Sequence, residues 1–290
     1  MKHTIEYALA KFKKHGEITV AITPKGKPFN FPNVYSIDSI CYFIRSVAKI
    51  DESIINREIK FFQQQIDQLY EKAIDPKTGL VREDKHFSSM RDHSVRSSSC
   101  YDNTMIAMLS DIIDGIKSLK NPFKELHIKD KIKEAFWTGK YFLNDTSGDT
   151  SVTGDSNTYP FWFRLFPDSM MKKAFVSLDE AGLTKPFPLK YVHIKGKHKM
   201  IAEEFFVKDW EQDTVWSQMG MIYIDLLSRI DNKKAKRYLK IYGDKIKKHG
   251  TFIELYDRRG EPYMTKWYVS DEGLSWASIY LDLRRRLWQG

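Results

Sequence analysis

Apolar residues along this 290-residue chain recur mostly with the 3.6-residue period of a helix that buries one face. The most regular stripe is Met219, Ile222, Tyr223, Leu226, Leu227 and Ile230, at i, i+3, i+4 and i+7 spacing. Ile55, Ile59, Phe62, Ile66, Leu69 and Ala73 form a second, and Ile37, Ile40, Cys41, Ile44, Val47 and Ala48 a third. Tyr101, Met105, Met108, Leu109, Ile112, Ile113 and Ile116 form a fourth. Less regular stripes predict helices over 4–14, 123–143, 169–181, 201–207, 232–248 and 273–288. They are bounded by Asn121-Pro122, by Gly182 with Pro186, and by Gly250, residue types that start or stop helices. Only Glu17 to Thr23 and Leu189 to Ile194 read as strands. The predicted class is all-α with a small β excursion.

Loop lengths set the expected architecture. Short turns near 50, 120 and 231 alternate with long connections at 15–35, 75–100, 145–168 and 250–271. Antiparallel helices joined in this way put every long loop on one end. With 201–207 as a short helix, parity holds along the chain, and the connection Lys208 to Gln212 joins the same end. Helical hairpins sharing one functional end predict an (α/α)6-type toroid. The ten helical segments fall short of the twelve in six complete hairpins, so either the ring is trimmed or the count is short. No linker or compositional break divides the chain, and residues 1–290 read as a single domain.

Composition narrows the class further. With 42% hydrophobic and 14% aromatic residues the chain can bury a substantial core, which excludes disorder and fibrous repeats. No apolar run approaches the roughly 20 residues a membrane helix needs. The opening MKHTIEYALAKFKKHG lacks the continuous apolar core of a secretory signal, so a cytoplasmic location is expected. Two cysteines, Cys41 and Cys100, fit a reducing compartment and are too few for a disulfide framework or an all-cysteine zinc site.

A net charge of +9, from 47 basic and 38 acidic residues, raises nucleic acid as a partner. The distribution argues against it. The denser stretches, Ile194 to Lys199, Lys233 to Lys248 and Arg284 to Arg286, lie on or beside outward helical faces and lack interleaved stacking aromatics. The eight histidines form no i, i+4 helical pair and no Cys/His cluster, so no metal is expected. Ser97, Ser98, Ser99 and Cys100 precede Asp102 without a nucleophile elbow, and Ser99 reads as the cap of the helix beginning near Tyr101. No glycine-rich phosphate loop follows a strand, and no cofactor is expected.

The long loops instead concentrate aromatics and carboxylates, among them Trp210, Trp216, Tyr256, Trp267 and Tyr268 with Asp92, Asp102, Asp155, Glu211, Asp213 and Glu254. Aromatic faces beside acids suit a carbohydrate, whose rings stack on the former and whose hydroxyls bond the latter. The competing reading is that these aromatics seal the end of a helical core. Within Ser151 to Trp162, Asp155 and Asn157 offer hydroxyl-bonding groups, and Tyr159, Phe161 and Trp162 offer stacking faces. Alternatively, Pro160, Phe161 and Trp162 begin the next helix as core.

The C-terminal third carries three ordered motifs: Asp213-Thr-Val-Trp-Ser-Gln-Met-Gly, then Gly250-Thr-Phe-Ile-Glu-Leu-Tyr-Asp257, then Gly273-Leu-Ser-Trp-Ala-Ser-Ile-Tyr-Leu-Asp282. Together they resemble the closing hairpins of the six-hairpin glycosidases. The similarity is to the trehalase and processing α-glucosidase group, with its glucosylglycerate and mannosylglycerate hydrolases. There a tryptophan segment opens a late inner helix, an F-x-E-x-Y-D stretch provides the catalytic base, and a G-x-S-W-A stretch opens the last helix. Glu211 and Gln212 stand where the group has an arginine or lysine. The resemblance implies an inverting glycoside hydrolase acting on an α-linked glucoside or related small glycoside, with Glu254 as base. It implies Asp102 as acid, in Ser99-Cys-Tyr-Asp102, with Cys100 where the group has glycine and Asp92 as the alternative acid. Candidate substrate contacts are Trp267, Trp216, Asp155, Asn157, Tyr159, Trp162 and Tyr256. Inversion expects the two carboxyls roughly 6.5 to 9.5 Å apart. Two other readings stand beside it: a non-hydrolytic epimerase, lyase or carbohydrate binder on the same toroid, and a basic nucleic-acid-binding helical protein.

Overall fold

Helices form where the periodicity puts them, and their departures from it have local causes. The computed structural model describes residues 1–30, 35–88, 90–91, 93–192, 199–200, 206–207, 209–270 and 272–288. It divides into two compact units: Met1–Asp92 with Arg96–Phe136 and Asp145–Ser147, and His93–Val95 with Trp137–Asn144 and Gly148–Gly290.

The first unit contains α1 (Lys2–His15), α2 (Ile37–Arg57), α3 (Ile59–Ala73), α4 (Cys100–Gly115) and α5 (Ile128–Phe136). α1 ends at Gly16, whose φ of 91° is the left-handed stop that glycine takes without steric cost. α2 buries Ile37, Ile40, Cys41, Ile44 and Val47, the predicted stripe. The turn expected near 50 is a kink at Asp51, whose carboxylate accepts bonds from the Ser53 N–H and hydroxyl, and the helix resumes beyond it. α4 is buried on every side from Cys100 through Ser110, and it packs against α2 and α5 as the core helix of this unit. Short strands complete it: β1 (Ala21–Ile22) antiparallel to β2 (Pro28–Phe29), and β3 (Tyr35–Ser36) parallel to β4 (Phe87–Ser88). The strand predicted over 17–23 is reduced to β1.

The helix predicted over 123–143 is corrected. A single 3-10 turn, Lys124–Leu126, precedes α5, which stops at Phe136. Beyond it the chain folds back so that Trp137 bridges Phe142. Gly139, at φ 94°, and the Thr138 hydroxyl, which accepts from the Lys140 and Tyr141 N–H groups, favour that turn over another helical one.

The second unit contains β5 (Ser94–Val95), α6 (Tyr159–Trp162), α7 (Asp168–Glu180), β6 (Lys199–Met200), β7 (Val215–Trp216), α8 (Ser217–Ser228), α9 (Asn232–His249), β8 (Leu255–Tyr256) and α10 (Leu274–Trp288). β5 pairs antiparallel with β6, and β7 with β8. α8 packs against both α9 and α10 and is buried all round over its first two turns. Gly220 lies in its interior because a Cβ there would come within 2.2 Å of the Tyr242 hydroxyl and 2.5 Å of the Pro188 carbonyl. α9 is capped by Asp231, which accepts from the Lys234 N–H, and by Gly250 at φ 76°. The helix expected at 201–207 lies mostly outside the described residues, of which Phe206 and Val207 are not helical. Of the strand expected at Leu189 to Ile194, Lys190 bridges Val215 and the Val192 N–H bonds the Gln212 carbonyl, while 193 and 194 lie outside the described residues.

Candidate active site

Glu254 is held by the short strands of the second unit. β7 lies between the Leu189 to Val192 segment and β8, and the turn that starts α8 closes on the same place. The Ser217 N–H donates to the Glu254 carbonyl at 2.9 Å, and the Ser217 hydroxyl donates to the Ile253 carbonyl at 2.7 Å. From the other side Ile253 bridges Glu272, and the Gly273 N–H bonds the Phe252 carbonyl. A Cβ on Gly273 would sit 3.2 Å from both the Glu254 Cα and the Phe252 ring, so the glycine of the third motif lets the start of α10 approach the residue proposed as base. The three sequence motifs therefore meet at Glu254, whose side chain is half-buried.

Around it stands an aromatic cluster. The Tyr268 hydroxyl donates to Glu254 Oε2 at 3.3 Å. The Tyr268 ring contacts Tyr263 and Trp210, with centroids 5.8 and 5.9 Å apart. Trp210 also meets Trp216 at 5.1 Å and His93 at 4.8 Å. The Trp210 indole N–H is buried and has no hydrogen-bond partner among the described residues, which leaves a donor for a ligand or water. Two acids follow Trp210 in sequence. The buried Glu211 carboxylate accepts from the His93 N–H with both oxygens, at 2.9 and 3.0 Å, and Asp213 pairs with the buried Lys190 at 2.6 Å.

The first unit places Asp102 in the first turn of α4. It is 4% exposed. Ser99 is the cap expected from the sequence: its hydroxyl accepts from the Asp102 N–H at 3.0 Å and donates to Asp102 Oδ2 at 2.6 Å. Asp38, in the first turn of α2, accepts from the Tyr101 hydroxyl at 3.2 Å. The Cys41 thiol is pushed well up by burial and further by the charges of Asp38 and Asp102, so both carboxylates act on one buried site. Periodicity did not single out Asp38, because an acid near a helix start is ordinarily just a favourable partner for the helix dipole.

The other sequence candidates divide. Trp267 is 65% exposed and edge-on to Phe206 at 6.0 Å. Trp216 is 6% exposed, donates its indole N–H to the Trp210 carbonyl, and supports the cluster from within. Tyr256 points elsewhere than expected: it is buried against Phe187 and Tyr242, an aromatic core position. Asn157 is likewise a strut and not a free hydroxyl-binding group. Its amide accepts from the Phe142 N–H and donates to the carbonyls of Phe142 and Thr153. Asp155 and Tyr159 are fully buried and Trp162 is half-buried, its ring edge-on to Tyr159. Asp92 lies outside the described residues.

Among the described residues no group of three or more His, Cys, Asp or Glu side chains is arranged to hold a metal ion. No described helix is long and apolar enough to cross a membrane. A cavity of about 720 Å³ lies between α9 and α10, lined by Leu239, Phe252, Tyr280, Leu281 and Trp288 with Lys247 and Arg284. Its walls are mostly apolar, its one acid, Asp244, is paired with Lys240, and it does not include Glu254.

No protein-family model matches the sequence, and no curated protein sequence matches it. Solved structures do. An α-amylase of Clostridium perfringens aligns over 97% of this chain and 80% of its own, at 13% identity and a TM-score of 0.58. The neutral trehalase of Saccharomyces cerevisiae aligns over 86% of this chain and 61% of its own, at 13% identity and a TM-score of 0.58. The mannosylglycerate hydrolase of Thermus thermophilus, in complex with glucose, aligns over 91% of this chain and 78% of its own, at 13% identity and a TM-score of 0.54. At such identities the likeness is one of fold. The shared fold is all-α of the (α/α)6 type with short strands.

Proposed function

We propose that the protein is an inverting glycoside hydrolase acting on an α-linked glucoside or related small glycoside. The observation that carries this is the convergence of the tryptophan, F-x-E-x-Y-D and G-x-S-W-A motifs on Glu254, in a fold shared with glycosidases along nearly the whole chain. Glu254 is the base: half-buried, it can reach a water, take its proton and direct the oxygen at the anomeric carbon. Asp102 is the acid that protonates the leaving oxygen. That role needs a carboxyl withdrawn from water, since desolvation disfavours the charged form, and Asp102 is 4% exposed, while the bond it accepts from the Ser99 hydroxyl acts in the opposite direction. Trp267 offers a stacking face, and the Trp210 N–H offers a donor for a sugar hydroxyl.

The test is a screen of α-glucosides and glycosylated small acids with wild type beside Glu254→Gln. The substitution keeps the shape and removes the base, so turnover is expected to fall by about 10²- to 10⁴-fold. Activity indifferent to it removes Glu254 from the mechanism. Inversion is read from the anomer first released, which by NMR is β from an α-glucoside.

A further inference from the structure

The hairpin that follows β8 has two faces with different duties. Its root is stitched to the residue after Glu254: the Tyr263 N–H donates to the Leu255 carbonyl at 3.0 Å, and the Leu255 N–H donates to the Ser270 hydroxyl at 3.0 Å. Met264 bridges Val269. At the tip the Thr265 hydroxyl accepts from the Trp267 and Tyr268 N–H groups, and the Thr265 N–H bonds the Tyr268 carbonyl at 2.7 Å. This locks the turn. Met264, Trp267 and Val269 are each more than 60% exposed, whereas Tyr263 and Ser270 are buried. Tyr268 belongs with the inner set, its ring held between Tyr263 and Trp210 and its hydroxyl on Glu254 Oε2.

We propose that Tyr268 is the positioning residue of the base, its hydroxyl aiming the Glu254 carboxylate and stabilising that carboxylate in the ionised form a base requires. The inference rests on the reading of Glu254 as base. Hydrogen bonding to the charged form of an acid favours that form, and Tyr268 supplies such a bond from a ring that its neighbours and the locked turn prevent from swinging away. The 3.3 Å separation is longer than the roughly 2.5 to 2.7 Å of a short charge-assisted O–H···O⁻ bond. The expected effect in the free protein is therefore modest, and it grows where substrate draws the groups together.

The experiment titrates Glu254 without substrate. In protein labelled with ¹³C at the glutamate carboxyls, the Glu254 signal is the one missing from Glu254→Gln. Tyr268→Phe, which keeps the ring contacts, is expected to move its midpoint up by about half to one pH unit. Met264→Ala, on the outer face of the same hairpin, should leave it in place. Incorporation of 3-fluorotyrosine at position 268, a stronger donor, should move it down, and this arm serves if the phenylalanine variant does not fold. An unmoved midpoint, or a shift of the opposite sign, overturns the proposal. In an active enzyme the acid limb of the pH–rate profile should follow the same upward displacement in Tyr268→Phe. Failure of the hydrolase reading shows separately, as wild type inert toward every glycoside while the titration still responds.

Discussion

Trp216, Trp267 and Trp276 fall in the C-terminal third of the chain and meet three different environments. Trp267 is 65% exposed at a hairpin tip, Trp216 is 6% exposed within the aromatic cluster, and Trp276 is half-buried in the first turn of α10. An exposed indole contributes little to folding, while a buried one contributes transfer and cavity terms together. Trp267→Ala should therefore weaken ligand binding with a change in stability within about 0.5 kcal/mol. Trp216→Ala should cost about 3 to 5 kcal/mol of folding free energy. Thermal melts beside ligand titrations check the ranking, and a reversed order sinks the assignment of Trp267 to the substrate. Trp276, half-buried, should fall between them in stability.

At the level of elements, the ladder that carries Glu254 depends on a buried ion pair. Lys190 and Asp213 meet at 2.6 Å with side chains 5% and 10% exposed, and Lys190 also bridges Val215 through its backbone. Burying two charges is costly, and their attraction offsets that cost only while both are present. Removing one takes away the other's ion-pair partner. Lys190→Met or Asp213→Leu alone should lower stability by about 3 to 5 kcal/mol, whereas the double variant should come much closer to wild type. Chemical denaturation of the four proteins as a double-mutant cycle measures this, and additive losses would show that the pair is not coupled.

Across the whole molecule, carboxylates with folded values below their ordinary range set the acid response. Asp51 is held at about 2, first by its hydrogen bond from Lys2. Glu58 is lowered by Lys13, Asp244 by Lys240, Glu261 by Lys248 and Asp282 by Arg286. A carboxyl whose folded value is depressed contributes stability that is fully present above its unfolded value and is lost as pH falls through the folded one. The melting temperature should therefore hold above about pH 5 and decline toward pH 2. These groups are exposed or partly exposed, so each contribution is small and strong salt should flatten the decline. A melting temperature at pH 2.5 equal to that at pH 6 would contradict this.

Local pattern alone determined the all-α class. The stripes at Ile37, Tyr101 and Met219 became α2, α4 and α8, and Ser99 became the expected cap, because helix periodicity and capping are settled by residues within a few positions of one another. The three motifs were also legible in the sequence, and their segments meet at Glu254. Tertiary structure decided the rest. Val215 and Tyr256 pair across the length of two helices, Tyr268 reaches Glu254 through the register of a hairpin, and Asp38 joins Asp102 around Cys41 from a different helix. The same sequence reading that put Tyr256 and Asn157 with the substrate had no means of knowing that Phe187 and Tyr242 enclose the one and the Phe142 backbone engages the other. Burial and hydrogen-bond satisfaction depend on which distant segments arrive together, and a one-dimensional pattern records only the faces that each segment has to offer.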